Sequence, residues 1–104
     1  DSAPHLVVDK EKAGGAAGVF NLPTALSYIV QVFEAEASIK NLEAFMSLNG
    51  PRFYGFSTNP DTITLKKAAA AIPTADTIPV GQDKVKVFQP REPFFWQLVK
   101  GLRQ

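Results

Sequence analysis

Asp1 and His5 stand four residues apart in the string Asp1-Ser2-Ala3-Pro4-His5, and the imidazole is the only one in the chain. A carboxylate and an imidazole are residue types that move protons or hold ions and substrates. The run Ala13-Gly14-Gly15-Ala16-Ala17-Gly18 follows closely. Glycine there lets a backbone approach a ligand, because no β-carbon intervenes. Taken by themselves, the two side chains also fit blander roles: His5 as a surface histidine beside a proline turn, Asp1 as a terminal carboxylate. Chemistry needs rigid support, and a chain end frays. A strand upstream of Asp1 is therefore expected to deliver it, and an aspartate in place of a methionine at position 1 points the same way.

The elements that must position these residues have to come from 104 amino acids, enough for one domain and one modest core. With 45% apolar and 20% charged residues, the composition is that of a globular chain. There is no cysteine, which removes disulfides and thiolate metal sites and suits a reducing cytoplasm. No apolar run reaches membrane-spanning length. The net charge of +1 gives no reason to expect nucleic acid. Lys66, Lys67, Lys84, Lys86, Arg91, Lys100 and Arg103 outnumber the acids of the second half, but they are scattered and read as solvated surface.

Residues 6 to about 20 show no sustained period, so a ligand-wrapping loop and a disordered tail both stay open. From Asn21-Leu22-Pro23-Thr24 the pattern becomes a helix start, with proline in the first turn. Leu26, Ile29, Val30 and Phe33 form its apolar face to about Ala37, with Gln31, Glu34 and Glu36 mostly opposite. Ser38 is placed to cap a second helix with the face Ile39, Leu42, Phe45 and Met46, ending at Asn49-Gly50-Pro51. Both stripes read as core and not as a cofactor box. Phe53, Tyr54 and Phe56 are dense enough to plug a core. Strands are expected at Thr62–Lys66, at Lys84–Phe88 and, short or as an edge, at Ile78-Pro79-Val80-Gly81. Phe94–Val99 closes the chain as a strand or docking segment with a basic tail after it. The alanines at 68–71 fit either a strand continuation or a helical turn.

Five motifs in order carry a family resemblance. Asp1-Ser2-Ala3-Pro4-His5, Lys10-Glu11, Ala17-Gly18-Val19-Phe20, the helix with Pro23-Thr24-Ala25-Leu26 and Val32-Phe33-Glu34, and Asn49-Gly50-Pro51-Arg52-Phe53-Tyr54-Gly55 resemble the C-terminal part of dihydroorotases, metal-dependent amidohydrolases. The likeness is strong to about Gly55 and looser to Trp96. It implies an α/β fold, the closing segment of a (β/α)₈ TIM barrel: residues 1–56 as the last strand end, substrate loop and terminal helices, and 57–104 as a C-terminal extension with short strands. Viewed as an isolated fragment, the chain would look α+β. The implied reaction is the reversible cyclisation of N-carbamoyl-L-aspartate to L-dihydroorotate, in de novo pyrimidine biosynthesis, at the C-terminal rim of the barrel.

The resemblance also implies roles. Asp1 would ligate one of two zinc ions and shuttle the proton, and His5 would bind the substrate carboxylate with main-chain groups of Ala17 and Gly18. Lys10 and Glu11 fall to loop packing. Where many relatives carry cysteines in the loop, this chain has Gly14 and Ala16. The larger departure is that the remaining metal ligands have no counterpart here, while a catalytic zinc generally needs three protein ligands. The isolated chain is thus expected to be metal-free and inactive, with the upstream barrel as the same or a companion chain. Neither nucleic acid nor membrane is an expected partner, and a homodimer is compatible with the reading. The alternatives are a freestanding, non-enzymatic interaction module derived from such a barrel, and a related cyclic amidohydrolase such as a hydantoinase or allantoinase.

Overall fold

The computed structural model describes residues 1–100, so the basic tail with Arg103 lies outside the described residues. In chain order the elements are α1 (Val7–Lys10), α2 (Leu22–Ala35), a helical run from Ile39 that ends in α3 (Asn49–Tyr54), and four strands. These are β1 (Thr64–Ile72), β2 (Thr77–Val80), β3 (Asp83–Lys86) and β4 (Phe94–Lys100). Two compact units result, residues 1–26 with 73–93, and residues 27–72 with the segment from Phe94 onward.

The first unit is organised by the β2–β3 hairpin. Its register runs from Thr77↔Lys86 to Val80↔Asp83, which leaves Gly81-Gln82 as a two-residue turn. Pro79 lies opposite Lys84, and β2 is the outer strand, where a missing N–H costs little. The inner strand, β3, meets the start of the chain. Leu6 bridges Val85, and the Lys86 N–H donates to the His5 carbonyl at 3.0 Å. Beyond the strand, the Val87 N–H donates to Asp76 and that of Phe88 to Phe20, at 2.9 Å each. These bonds bury Val87, only 2% exposed. Thr24 is buried as well, with its hydroxyl donating to the Asn21 carbonyl at 3.3 Å, so its polar atom is satisfied where the helix begins.

The second unit packs α2 against strands. Val30 and Phe94 form its buried centre, and Tyr28 meets Phe94 edge-on with ring centroids 5.7 Å apart. Burying one such side chain contributes about 1.5–3 kcal/mol. Gln31 and Glu34 do not stay on the polar face. Gln31 Oε1 accepts from the Phe95 N–H, and Glu34 takes Trp96 Nε1 at 3.2 Å and Lys67 Nζ at 2.6 Å. The reason is geometric, since Glu34 lies one turn beyond Val30 and shares its face. Lys67 and Trp96 are themselves partners in the antiparallel β1–β4 pair, so one carboxylate pins both strands. Residues 68–71 continue β1 as strand, but between Lys67 and Ile72 the register shifts while β4 advances only from Trp96 to Phe94. β1 is therefore bulged there.

Three expectations are corrected. Ser38 does not cap a helix with its side chain, because its hydroxyl donates back to the Glu36 carbonyl at 3.1 Å. Its backbone closes α2 instead: the Ser38 N–H donates to Phe33 and the Ala37 N–H to Glu34, with Ala37 at φ 53°. That is a Schellman ending with alanine where glycine is usual. The second helix also does not stop at Asn49-Gly50-Pro51. It passes from a 3₁₀ turn (Ile39–Asn41) through a π segment (Ala44–Leu48) into α3. The wider turn immediately precedes Pro51, which then falls in the first turn of α3, where its missing N–H is tolerated. Gly55 at φ 73° ends the run. Finally, Phe53, Tyr54 and Phe56 are 81%, 69% and 70% exposed and meet one another at the surface of this unit, Phe53 edge-on to Tyr54 and Tyr54 stacked on Phe56, so they plug no core within the described chain.

Candidate functional site

All four residues singled out for chemistry belong to the first unit, at its N-terminal segment. Asp1 is exposed, and its Oδ1 accepts from the Ser2 N–H at 2.9 Å, a local contact that sets the carboxylate against the next peptide. Ser2 reaches further. Its Oγ accepts from the Leu22 N–H at 3.3 Å, satisfying one of the open donors in the first turn of α2 from outside that helix. Ala3 then donates its N–H to the Val19 carbonyl at 2.8 Å. His5 is half-buried, with its carbonyl held by β3 through Lys86. The Asp1–His5 string is thus fixed on three sides, by α2, by the loop and by the hairpin.

The loop itself is neither a tail nor free coil. The Ala16 N–H donates to the Asp9 carbonyl at 2.9 Å, and Lys10, at the end of α1, donates from Nζ to the Ala16 and Gly18 carbonyls at 2.6 Å each. Between those two carbonyls sits Ala17, exposed, and next to it Gly18 at φ 91°. A β-carbon at position 18 would lie 2.7 Å from the Ala3 β-carbon, so only glycine allows the loop to lie against the Asp1–His5 string. Gly15 is under a similar constraint, since a β-carbon there would come within 2.5 Å of the Lys10 carbonyl oxygen. By contrast, the exposed Lys12–Asp9 pair, 3.5 Å apart, contributes at most about 1 kcal/mol.

Sequence reasoning named Asp1, His5, Ala17 and Gly18, but it missed Ser2 as a remote helix cap and Ala3 as the counterface of Gly18. The signal was a pair of very small residues, one in each motif, which two backbones in close contact require. The fit to zinc is a separate matter. Among the described residues, no three of the His, Cys, Asp and Glu side chains come together. Asp1 and His5 alone do not make a zinc site, so this chain by itself does not fit the ion.

No protein-family profile matches the chain. Individual proteins do. It is 46% identical over 98 residues to a dihydroorotase of Vibrio campbellii, covering 94% of the chain and 28% of the relative. It is likewise 46% identical over 100 residues to a dihydroorotase of Ruegeria pomeroyi, covering 96% and 29%. Among solved structures, the dihydroorotase of Saccharomyces cerevisiae in complex with 5-fluoroorotic acid superposes on all of the chain with a TM-score of 0.80 at 33% identity, covering 30% of that protein. The segment is an α/β portion of a hydrolase family. The chain belongs with the dihydroorotases as a C-terminal portion, and it spans between a quarter and a third of the length of the relatives it matches.

Proposed function

We propose that this chain forms the substrate-carboxylate and proton-transfer edge of an enzyme that interconverts N-carbamoyl-L-aspartate and L-dihydroorotate. The observation that supports this reading is the clasp itself: Gly18 lies against Ala3, the residue midway between Asp1 and His5. A backbone loop and an acid–imidazole string are thereby held together. In ring opening, Asp1 takes a proton from the attacking water as its oxygen bonds to the ring carbonyl carbon. It returns that proton to the ring nitrogen as the carbon–nitrogen bond breaks. Cyclisation reverses both transfers. His5 and the main chain of Ala17 and Gly18 bind the substrate carboxylate, where backbone N–H groups supply directional donors.

Residues 1–56 are then the last strand end, loop and terminal helices of a (β/α)₈ barrel, and 57–104 its C-terminal extension. Zinc, two ions in this reading, would be held chiefly by side chains from the barrel segment, with Asp1 the one ligand offered here. No described helix is long and apolar enough to cross a membrane. The lack of cysteine accords with a cytoplasmic setting.

The test is a substrate panel on the intact protein with its barrel. L-dihydroorotate is expected to open far faster than hydantoin or allantoin, and the purified 104-residue chain is expected to show no turnover. Preference for either other ring, or dihydroorotate hydrolysis by the chain alone, would overturn the proposal.

A further inference from the structure

We infer that Lys10 is a positioning residue for the substrate loop, one that sets the direction and strength of the loop's N–H donors; this rests on the carboxylate-binding role proposed for Ala17 and Gly18. Its ammonium donates to two carbonyls, those of Ala16 and Gly18, at 2.6 Å each. The Ala16 carbonyl shares one planar trans peptide with the Ala17 N–H, and the two point in opposite directions. Fixing the carbonyl toward Lys10 therefore fixes the Ala17 N–H away from it. The same holds for the Gly18 carbonyl and the Val19 N–H. The Gly18 N–H lies in the peptide between these two.

One cation thus holds the two peptides on either side of the Ala17–Gly18 link with their carbonyls on its own side and the Ala17 and Val19 N–H groups on the opposite side, a pair of donors suited to a carboxylate. Polarisation adds to orientation. A carbonyl that accepts from a cation withdraws electron density through its amide, and the N–H of that peptide becomes a stronger donor. The arrangement is braced from behind, since Ala16 donates to the Asp9 carbonyl and Ala3 to that of Val19. Lys10 itself is half-buried and touches the loop through its backbone, so it acts through the loop and not on the reacting atoms.

Such a residue controls affinity for the carboxylate and leaves the chemical step alone. In the intact enzyme, Lys10→Met keeps the stem and removes the donors. The expected result is a 10- to 100-fold rise in KM for L-dihydroorotate, with kcat within about threefold of the parent. Inhibition by orotate should weaken in parallel, while that by uracil, the same ring without the carboxylate, should not change. Lys10→Arg, which can still donate to two carbonyls, should recover most of the lost affinity. Hydrogen exchange at Ala17, Gly18 and Val19 should accelerate in the methionine variant, whatever the substrate proves to be. An unchanged KM, equal weakening of orotate and uracil, or unaltered exchange would each overturn the inference. If the parent enzyme does not turn over L-dihydroorotate, the functional reading fails, and the exchange rates still decide whether Lys10 holds the loop.

Discussion

Replacing Gly18 by alanine probes the contact on which the site is built. The added β-carbon would stand 2.7 Å from the Ala3 β-carbon, whereas carbons in contact sit at about 3.5–4.0 Å, so the two backbones must part by roughly 1 Å. That displacement breaks the 2.8 Å bond from the Ala3 N–H to the Val19 carbonyl, worth about 0.5–1.5 kcal/mol. Holding an alanine at φ 91° costs a further 1–2 kcal/mol or so. Together the local clasp should weaken by about 1.5–3.5 kcal/mol, so the Ala3 amide should exchange with solvent roughly 10- to 300-fold faster where exchange reports the opening equilibrium. Ala3→Gly removes the other β-carbon. The double variant should regain the steric part of the loss while the backbone part persists, so the cycle has a coupling energy near 0.5–1.5 kcal/mol. Unchanged protection in Gly18→Ala, or no recovery in the double variant, would show that the loop does not lie against the motif as described.

Ala37 occupies the left-handed position of the α2 ending, so Ala37→Gly should stabilise the protein by about 0.5–1 kcal/mol, read from the denaturation midpoint. Glu34 has its pKa lowered by hydrogen bonds from Lys67 and Trp96, in that order of weight. Its folded value lies below the unfolded one, so its contribution is present above about pH 4.5 and is lost as pH falls through the lowered value. Glu34→Gln should flatten that acid limb in a series of melts from neutral pH downward, and an unaltered limb would count against the link to β1 and β4. The exposed cluster of Phe53, Tyr54 and Phe56 should make the purified chain self-associate in sedimentation, and Phe53→Ser with Phe56→Ser should reduce it.

Much of this architecture is legible in the amino acids because local signals agree with tertiary needs. α2 begins at Leu22 after Asn21 and buries Val30, and β3 takes in Lys84, Val85 and Lys86 of the expected strand but ends before Val87 and Phe88, with Lys86 half-buried beside Val85. Proline 79 marks the outer strand for the reason its chemistry demands. The misses occur where two local rules compete. Gly50-Pro51 signals a stop, but a π turn ahead of the proline relieves the clash, and the helix continues to Tyr54. Ser38 carries a capping side chain, yet the end of the preceding helix claims it first. Aromatic density suggested burial at Phe53 and Tyr54, and density alone does not say which surface a side chain faces. At the site, residue types and the family likeness pointed to Asp1, His5, Ala17 and Gly18. The clasp by Ser2, Ala3 and Lys10 depends on backbone contacts, which periodicity does not encode.

The most direct measurement compares steady-state kinetics of Asp1→Asn and His5→Ala in the intact enzyme acting on L-dihydroorotate. The two ends of one five-residue string are assigned different work, so the parameters should separate. Asp1→Asn should lower kcat by about 10²- to 10⁴-fold with KM nearly kept, and His5→Ala should raise KM with a much smaller change in kcat. If both variants turn over dihydroorotate like the parent, or if His5→Ala loses kcat and keeps KM, the site does not work as described.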